Sequence, residues 1–168
     1  LTLSTPRSIR TYAMVHLAYT MALRPVEISR IILNDISFSE KMLTMPERKG
    51  DRPITLPIPE KTMKAIAVYI LHARIKTQHR HLFMTHKRPY RPLSSGSVCV
   101  EIWRAMKDAG LSSSAYWLRH THAQNLLLLG RSIYEIKEML GHQDIQHTQR
   151  YLHIDTELMR KVLLNETL

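Results

Sequence analysis

Residues 34–58 constrain the fold of this chain most, because there helical spacing gives way to short alternating runs. Ile36 to Phe38, Met42 to Met45 and Pro53 to Ile58 each carry apolar residues in alternation or close to it. Ser39-Glu40 separates the first two runs, and Lys49-Gly50-Asp51 the last two. Short alternating runs joined by turn residues predict a small antiparallel sheet of three strands. The prolines at 46, 53, 57 and 59 suit strand ends or an exposed edge. The sequence on either side has helical spacing. The expected fold class is mainly α with a small three-stranded antiparallel β-sheet (α+β).

The helices can be bounded from their caps. Thr5 is placed to cap a first helix over Ser8 to Ala22, with Pro6 at its first position. Ile9, Tyr12, Ala13, His16, Leu17 and Thr20 are expected on or near its inner face. Leu23-Arg24-Pro25 breaks that helix, because a proline disfavours helical geometry in the residue before it. Val26 to Ile32 forms a short second helix. Glu60 to Ile75 is helical, with Met63, Ile66, Ala67, Ile70 and Leu71 on one side. A basic loop from Lys76 to Pro92 holds Leu82-Phe83-Met84 as an extended anchor. Ser94 or Ser95 caps a helix to about Ala109, ended by Gly110. Tyr116 to Leu129 ends at Gly130, and Ser132 caps a helix to Leu140. Thr156 to Leu164 is a short terminal helix. No internal repeat or interdomain linker is visible, so residues 1–168 are expected to form one domain, with 1–155 as its core and 156–168 as a tail.

The charge narrows the partner. With 24 Lys and Arg against 14 Asp and Glu, the net charge is +10 with histidines neutral. A basic domain of this size most often meets a polyanion, and nucleic acid is the leading candidate. A membrane surface fits less well, since no long helix is basic on one side and bulky and apolar on the other. No apolar run approaches the roughly 20 residues of a membrane span. Cys99 has no internal partner and reads as a small buried hydrophobe in a reducing cytoplasm. The chain starts at Leu1, without a visible signal peptide, and is expected to be a fragment of a longer protein.

Several polar residues stand where the chain breaks. A helix stops at Gly141, which can adopt the left-handed conformation that ends helices. His142 follows at once, and a short helix from about Asp144 carries Tyr151 near its end. Arg24 lies at a helix junction, Lys49 in a hairpin turn, and Arg119 in the first turns of a helix. Arginine grips phosphate oxygens with two parallel hydrogen bonds. Two arginines, a lysine and a histidine around a phenol make a phosphodiester site, in which the cations offset the charge of a pentavalent transition state and the phenol acts as nucleophile. Zinc held by His142, His147 and His153 is the competing reading, and neither the spacing nor the lone cysteine matches a zinc pattern.

Four blocks, in order, resemble the catalytic domain of the tyrosine recombinase (phage integrase) family. Ala22-Leu23-Arg24-Pro25-Val26-Glu27-Ile28 is similar to its first arginine box. Arg48-Lys49-Gly50-Asp51-Arg52 and the following Ile54-Thr55-Leu56-Pro57 resemble the hairpin that bears its lysine. Leu118-Arg119-His120-Thr121-His122-Ala123 resembles the second arginine box. Leu140-Gly141-His142, with Tyr151 and then His153, resembles the third box and the nucleophile.

The resemblance implies that Tyr151 attacks a DNA phosphate to give a 3′-phosphotyrosyl link. Arg24, Arg119 and His142 would hold the phosphate, and Lys49 would protonate the leaving 5′-oxygen. Glu27 would orient the arginine boxes. Neither metal nor nucleotide cofactor is implied. The implied partner is double-stranded DNA with inverted-repeat sites, bound by self-associated copies (a tetramer in the synapse) linked through their tails, with a separate N-terminal core-binding domain clamping the DNA. One position departs from the family pattern: Tyr116 stands three residues before Arg119, where a histidine is usual. A phenol titrating near 10 donates a hydrogen bond but is a poor base at neutral pH. Arg80, Lys87, Arg88 and Arg91 of the basic loop are expected to touch backbone phosphates. The alternative is a non-catalytic DNA-binding module of the same fold, and a type IB topoisomerase is a weaker third reading.

Overall fold

The computed structural model describes residues 3–45 and 53–140. Two compact units divide the chain, residues 1–122 and residues 123–168, with the division inside one helix.

In the first unit, α1 (Pro6–Thr20) begins on a reciprocal cap. Thr5 Oγ1 accepts the Ser8 amide at 3.1 Å, and Ser8 Oγ accepts the Thr5 amide at 3.1 Å. Helix α1 ends at Thr20, two residues earlier than its spacing predicts, and Ala22 then turns with φ +52°. That left-handed geometry costs an alanine about 1 kcal/mol. Pro25, with its fixed φ and no amide to satisfy, starts α2 (Pro25–Arg30).

A single 3-10 turn (Leu33–Asp35) leads into the sheet. Strands β1 (Ile36–Ser37), β2 (Met42–Met45) and β3 (Ile54–Pro57) pair antiparallel in the order β1-β2-β3. The register sets Leu43 between Ile36 and Leu56. Pro57 closes the edge strand β3 opposite Met42, where a missing amide is tolerated. All three predicted strands form, shortened by one residue at β1 and by two at β3.

Helix α3 (Glu60–His72) packs on α1, and α4 (Ser95–Asp108) on α2 and α1. Helix α5 runs over Ala115–Leu128. The core joins Met14, Leu17 and Leu23 to Ile28, Leu43, Ile66, Tyr69, Phe83 and Ile102. Leu82, Phe83 and Met84 are fully buried, and bridges Ile32–His81 and Met84–Pro92 hold this anchor in place. Tyr69 stacks on Phe83 with ring centroids 5.3 Å apart.

Three details correct the expected inner faces. On α1 the buried residues are Arg10, Thr11, Ala13, Met14, Leu17 and Ala18, while Ile9, Tyr12, His16 and Thr20 lie on the flanks. On α3, Thr62, Ala65 and Tyr69 join Met63 and Ile66 inside, and Leu71 is 75% exposed. In both helices a polar residue with a partner on another helix displaces an apolar one, which hydrophobic spacing alone does not reveal. Cys99 is half-buried, because Val98 beside it takes the inward position on α4.

In the second unit, Gly130 turns at φ +78° and frees the chain to start α6 (Ile133–Leu140). Ser132 Oγ accepts the Glu135 amide at 3.2 Å, and Glu135 Oε2 accepts the Ser132 amide at 2.8 Å, as the predicted cap requires. Ala123, Ile136 and Leu140 are buried. Among the described residues no helix is long and apolar enough to cross a membrane.

Candidate phosphate-binding site

The site begins at the break between α1 and α2. Arg24 caps α2 from an extended conformation, φ −72° and ψ 151°. Its amide donates to Glu27 Oε2 at 2.6 Å, and its Nη1 donates to Glu27 Oε1 at 3.0 Å. Glu27 thus serves as the acidic half of a helix-start cap and as the counter-ion of the capping residue. One carboxylate with two roles in one turn fixes where Arg24 can reach.

Arg119 arrives from α5. Its Nη1 lies 3.9 Å from Glu27 Oε2 and donates to the carbonyl of Ala22. Arg119 is 5% exposed and Glu27 9%. Two boxes far apart in the chain therefore meet on one carboxylate. Two guanidiniums and one carboxylate sum to a net positive charge. In a water-poor setting that charge favours an anion with several oxygens, and phosphate matches the planar guanidinium fork.

Other α5 residues surround Arg119. Tyr116 lies one turn before it, on the same side of the helix, and is 56% exposed. Its phenol is thus open to an incoming ligand rather than packed beside Trp117, itself 58% exposed. His120 is half-buried with its ring centroid 6.0 Å from that of Trp117, and burial, then the Arg119 charge, holds its pKa below the ordinary 6.5. His122 is depressed below 6.5 mainly by burial and also by Arg119, while a hydrogen bond to the Tyr19 backbone acts the other way. Both imidazoles therefore favour the neutral form.

Lys49, His142 and Tyr151 lie outside the described residues, as does the tail from Thr156. The basic loop is described in full. Arg80 is bound to Asn34, with Nε at 2.9 Å and Nη2 at 2.5 Å from Oδ1. Lys87, Arg88 and Arg91 are exposed, and Arg88 lies 5.7 Å from the centroid of the Tyr90 ring. Arg74 organises this loop by donating to the carbonyls of His79 at 2.7 Å, His81 at 2.8 Å and Leu82 at 3.1 Å. Its place at the end of α3 is the one sequence signal for such a role.

Sequence reasoning also missed a buried ion pair. Arg10 Nη2 lies 2.5 Å from Glu101 Oε1, and its Nη1 donates to the Met84 carbonyl. Thr11 donates to Glu101 Oε2 at 3.1 Å, and Arg7 Nε approaches Oε1 at 3.2 Å. This cluster locks α1 to α4. Among the described residues no group of three or more His, Cys, Asp or Glu is placed to hold a metal ion.

Known proteins share this arrangement of sequence and fold. Residues 2–157 match the phage integrase family. A putative integrase/recombinase of Sinorhizobium fredii, y4gC, is 32% identical over 96% of this chain and 85% of its own length. Tyrosine recombinase XerD of Halalkalibacterium halodurans is 31% identical over 94% of this chain, which spans 54% of that protein. The crystal structure of XerA recombinase superposes with a TM-score of 0.79 at 25% identity, covering 95% of this chain and 59% of that one.

Proposed function

The chain belongs to the phage integrase family of tyrosine recombinases, and from that premise we propose that it breaks and rejoins DNA strands itself. The observation that carries the reading is the shared carboxylate: Glu27 holds Arg24 at 3.0 Å and Arg119 at 3.9 Å. A DNA-binding module has no need to fix two arginines against each other inside the protein. A reaction that builds charge on one phosphate does.

In this reading the Tyr151 phenolic oxygen attacks phosphorus and the bond from phosphorus to the 5′-oxygen breaks. A 3′-phosphotyrosine forms, and Lys49 gives its proton to the leaving 5′-oxygen. Arg24 and Arg119 hold the non-bridging oxygens, and His142 donates a further hydrogen bond. The proton of Tyr151 passes to water, to the phosphate or to an imidazole such as His122. Tyr116 supports the phosphate as a donor. The 5′-hydroxyl of a partner strand then attacks the phosphotyrosine, reseals the backbone and releases Tyr151. The phosphoester energy is kept throughout, so the cycle uses neither metal nor nucleotide.

The substrate is double-stranded DNA with inverted-repeat sites, and Arg80, Lys87, Arg88 and Arg91 touch its backbone. Residues 1–155 act as the catalytic core, and residues 156–168 dock on a neighbouring copy in a synaptic tetramer. The setting is the cytoplasm, where a protein encoded by a bacterium, phage or mobile element stays with its DNA. The test uses nicked suicide duplexes tiled across the DNA that flanks the coding gene, incubated in EDTA. Wild type should form a denaturation-resistant protein–DNA adduct. Specific binding without any adduct supports the non-catalytic module instead.

A further inference from the structure

We infer that Ala22 is a positioning residue: its left-handed backbone aims its carbonyl at Arg119 and so orients that guanidinium. The inference rests on the proposed strand-transfer function and extends it to a residue whose side chain touches no phosphate.

The residue just past a helix commonly turns left-handed, and glycine is the usual occupant because it has no Cβ. Here the occupant is an alanine at φ +52° that is 1% exposed. Such a conformation persists in a non-glycine residue when its surroundings over-determine it. The surroundings do so on both sides. The amides of Met21 and Leu23 each donate to the Leu17 carbonyl at 3.3 Å, which draws the chain tightly around Ala22. The Ala22 carbonyl in turn accepts from Arg119 Nη1.

Arg119 is seated between this carbonyl and Glu27. Both contacts fall on Nη1: the carbonyl accepts its hydrogen bond and the carboxylate attracts it from 3.9 Å, so together they hold that end of the planar guanidinium. A right-handed or extended Ala22 would swing the carbonyl away from the guanidinium, while Glu27 stands 3.9 Å off. The turn at Ala22 thus joins the two arginine sites: it precedes Arg24 by two residues and bonds Arg119 directly.

The experiment compares Ala22→Gly, which keeps the left-handed turn, with Ala22→Val, whose branched side chain resists it. Arginine side-chain NMR of the full chain reads the seat directly. The Arg119 guanidinium resonance should be slow to rotate and protected in wild type and Ala22→Gly, and averaged in Ala22→Val. Adduct formation on the nicked flanking duplexes reads the consequence. Ala22→Gly should stay within about twofold of wild type, and Ala22→Val should fall by roughly 10-fold to 100-fold. On duplexes with a neutral methylphosphonate at the cleaved position the Ala22→Val defect should shrink, because less charge needs holding; a defect from overpacking would persist there. An unchanged Arg119 resonance in Ala22→Val, or an equal defect on both duplexes, overturns the positioning role. No adduct from wild type overturns the strand-transfer reading instead, while the NMR comparison still decides whether Ala22 seats Arg119.

Discussion

Glu27 and Arg119 stand 3.9 Å apart, oxygen to nitrogen, with 9% and 5% of their surfaces exposed. A buried carboxylate beside a buried guanidinium is costly to desolvate and costly to break. Its retention inside the first unit makes sense if both groups must be held in one geometry. Glu27→Ala removes the counter-ion of two arginines and the helix-start acceptor together. It should lower the free energy of unfolding by about 3–5 kcal/mol, read as the urea midpoint. Glu27→Asp should recover part of this and still form less adduct than wild type. A Glu27→Ala protein with unchanged stability would contradict the bridging role.

Glu101 is a control for burial without a catalytic role. It is the acceptor of Arg10, Arg7 and Thr11. Glu101→Gln leaves the Arg10 charge without its counter-ion and should cost about 3–5 kcal/mol of stability. The double variant Arg10→Met, Glu101→Leu should restore most of it. Adduct yield per folded molecule should match wild type in both, measured after correction for the folded fraction by circular dichroism.

Four histidines make acid destabilising. His16, His86, His120 and His122 all titrate below the ordinary 6.5, with burial the largest cause in each. The unfolded chain therefore binds protons first as pH falls. The stability these neutral imidazoles contribute is complete above 6.5 and drains away below it. The urea midpoint should fall steadily as pH drops from about 7 to about 5, and His122→Gln should reduce the slope. A midpoint that rises over this range would reverse the sign.

Tyr116 supplies a test of chemistry alone. It is 56% exposed, so Tyr116→His should fold normally. An imidazole there titrates near neutrality and should keep or raise the rate of adduct formation. Complete loss of cleavage in that variant would mean that Tyr116 does not fill the histidine's place.

The basic loop should contribute affinity without sequence preference. Lys87, Arg88, Arg91 and Arg80 are all exposed, and Arg80 is in addition bound to Asn34. Replacing any one of the first three by alanine should weaken binding to all duplexes alike. Each cation removed from a phosphate should flatten the slope of log affinity against log salt by about 0.9. Arg80→Ala should change it less.

The sequence carried the elements well where local chemistry decides them. Thr5, Pro25, Ser94, Gly130 and Ser132 bound helices through caps that act within one turn, and every predicted strand formed. The inner faces of α1 and α3 were less legible. Arg10 and Thr62 are buried because Glu101 and Thr20, distant in the chain, are their partners, and no local pattern encodes a distant partner. The same limit applies to the site. Chain breaks singled out Arg24 and Arg119, and the family resemblance implied that Glu27 orients their boxes. The distances at which they meet on that carboxylate, and the Ala22 carbonyl bonded to Arg119, are products of tertiary packing.

Mass spectrometry of the trapped adduct after nuclease and trypsin digestion tests attack by Tyr151 most directly. One nucleotide-bearing peptide is expected, Tyr151 to Arg160, with the phosphate on the tyrosine and joined to a 3′ end. A phosphopeptide from any other tyrosine, a 5′ linkage, or an adduct that survives Tyr151→Phe would contradict it.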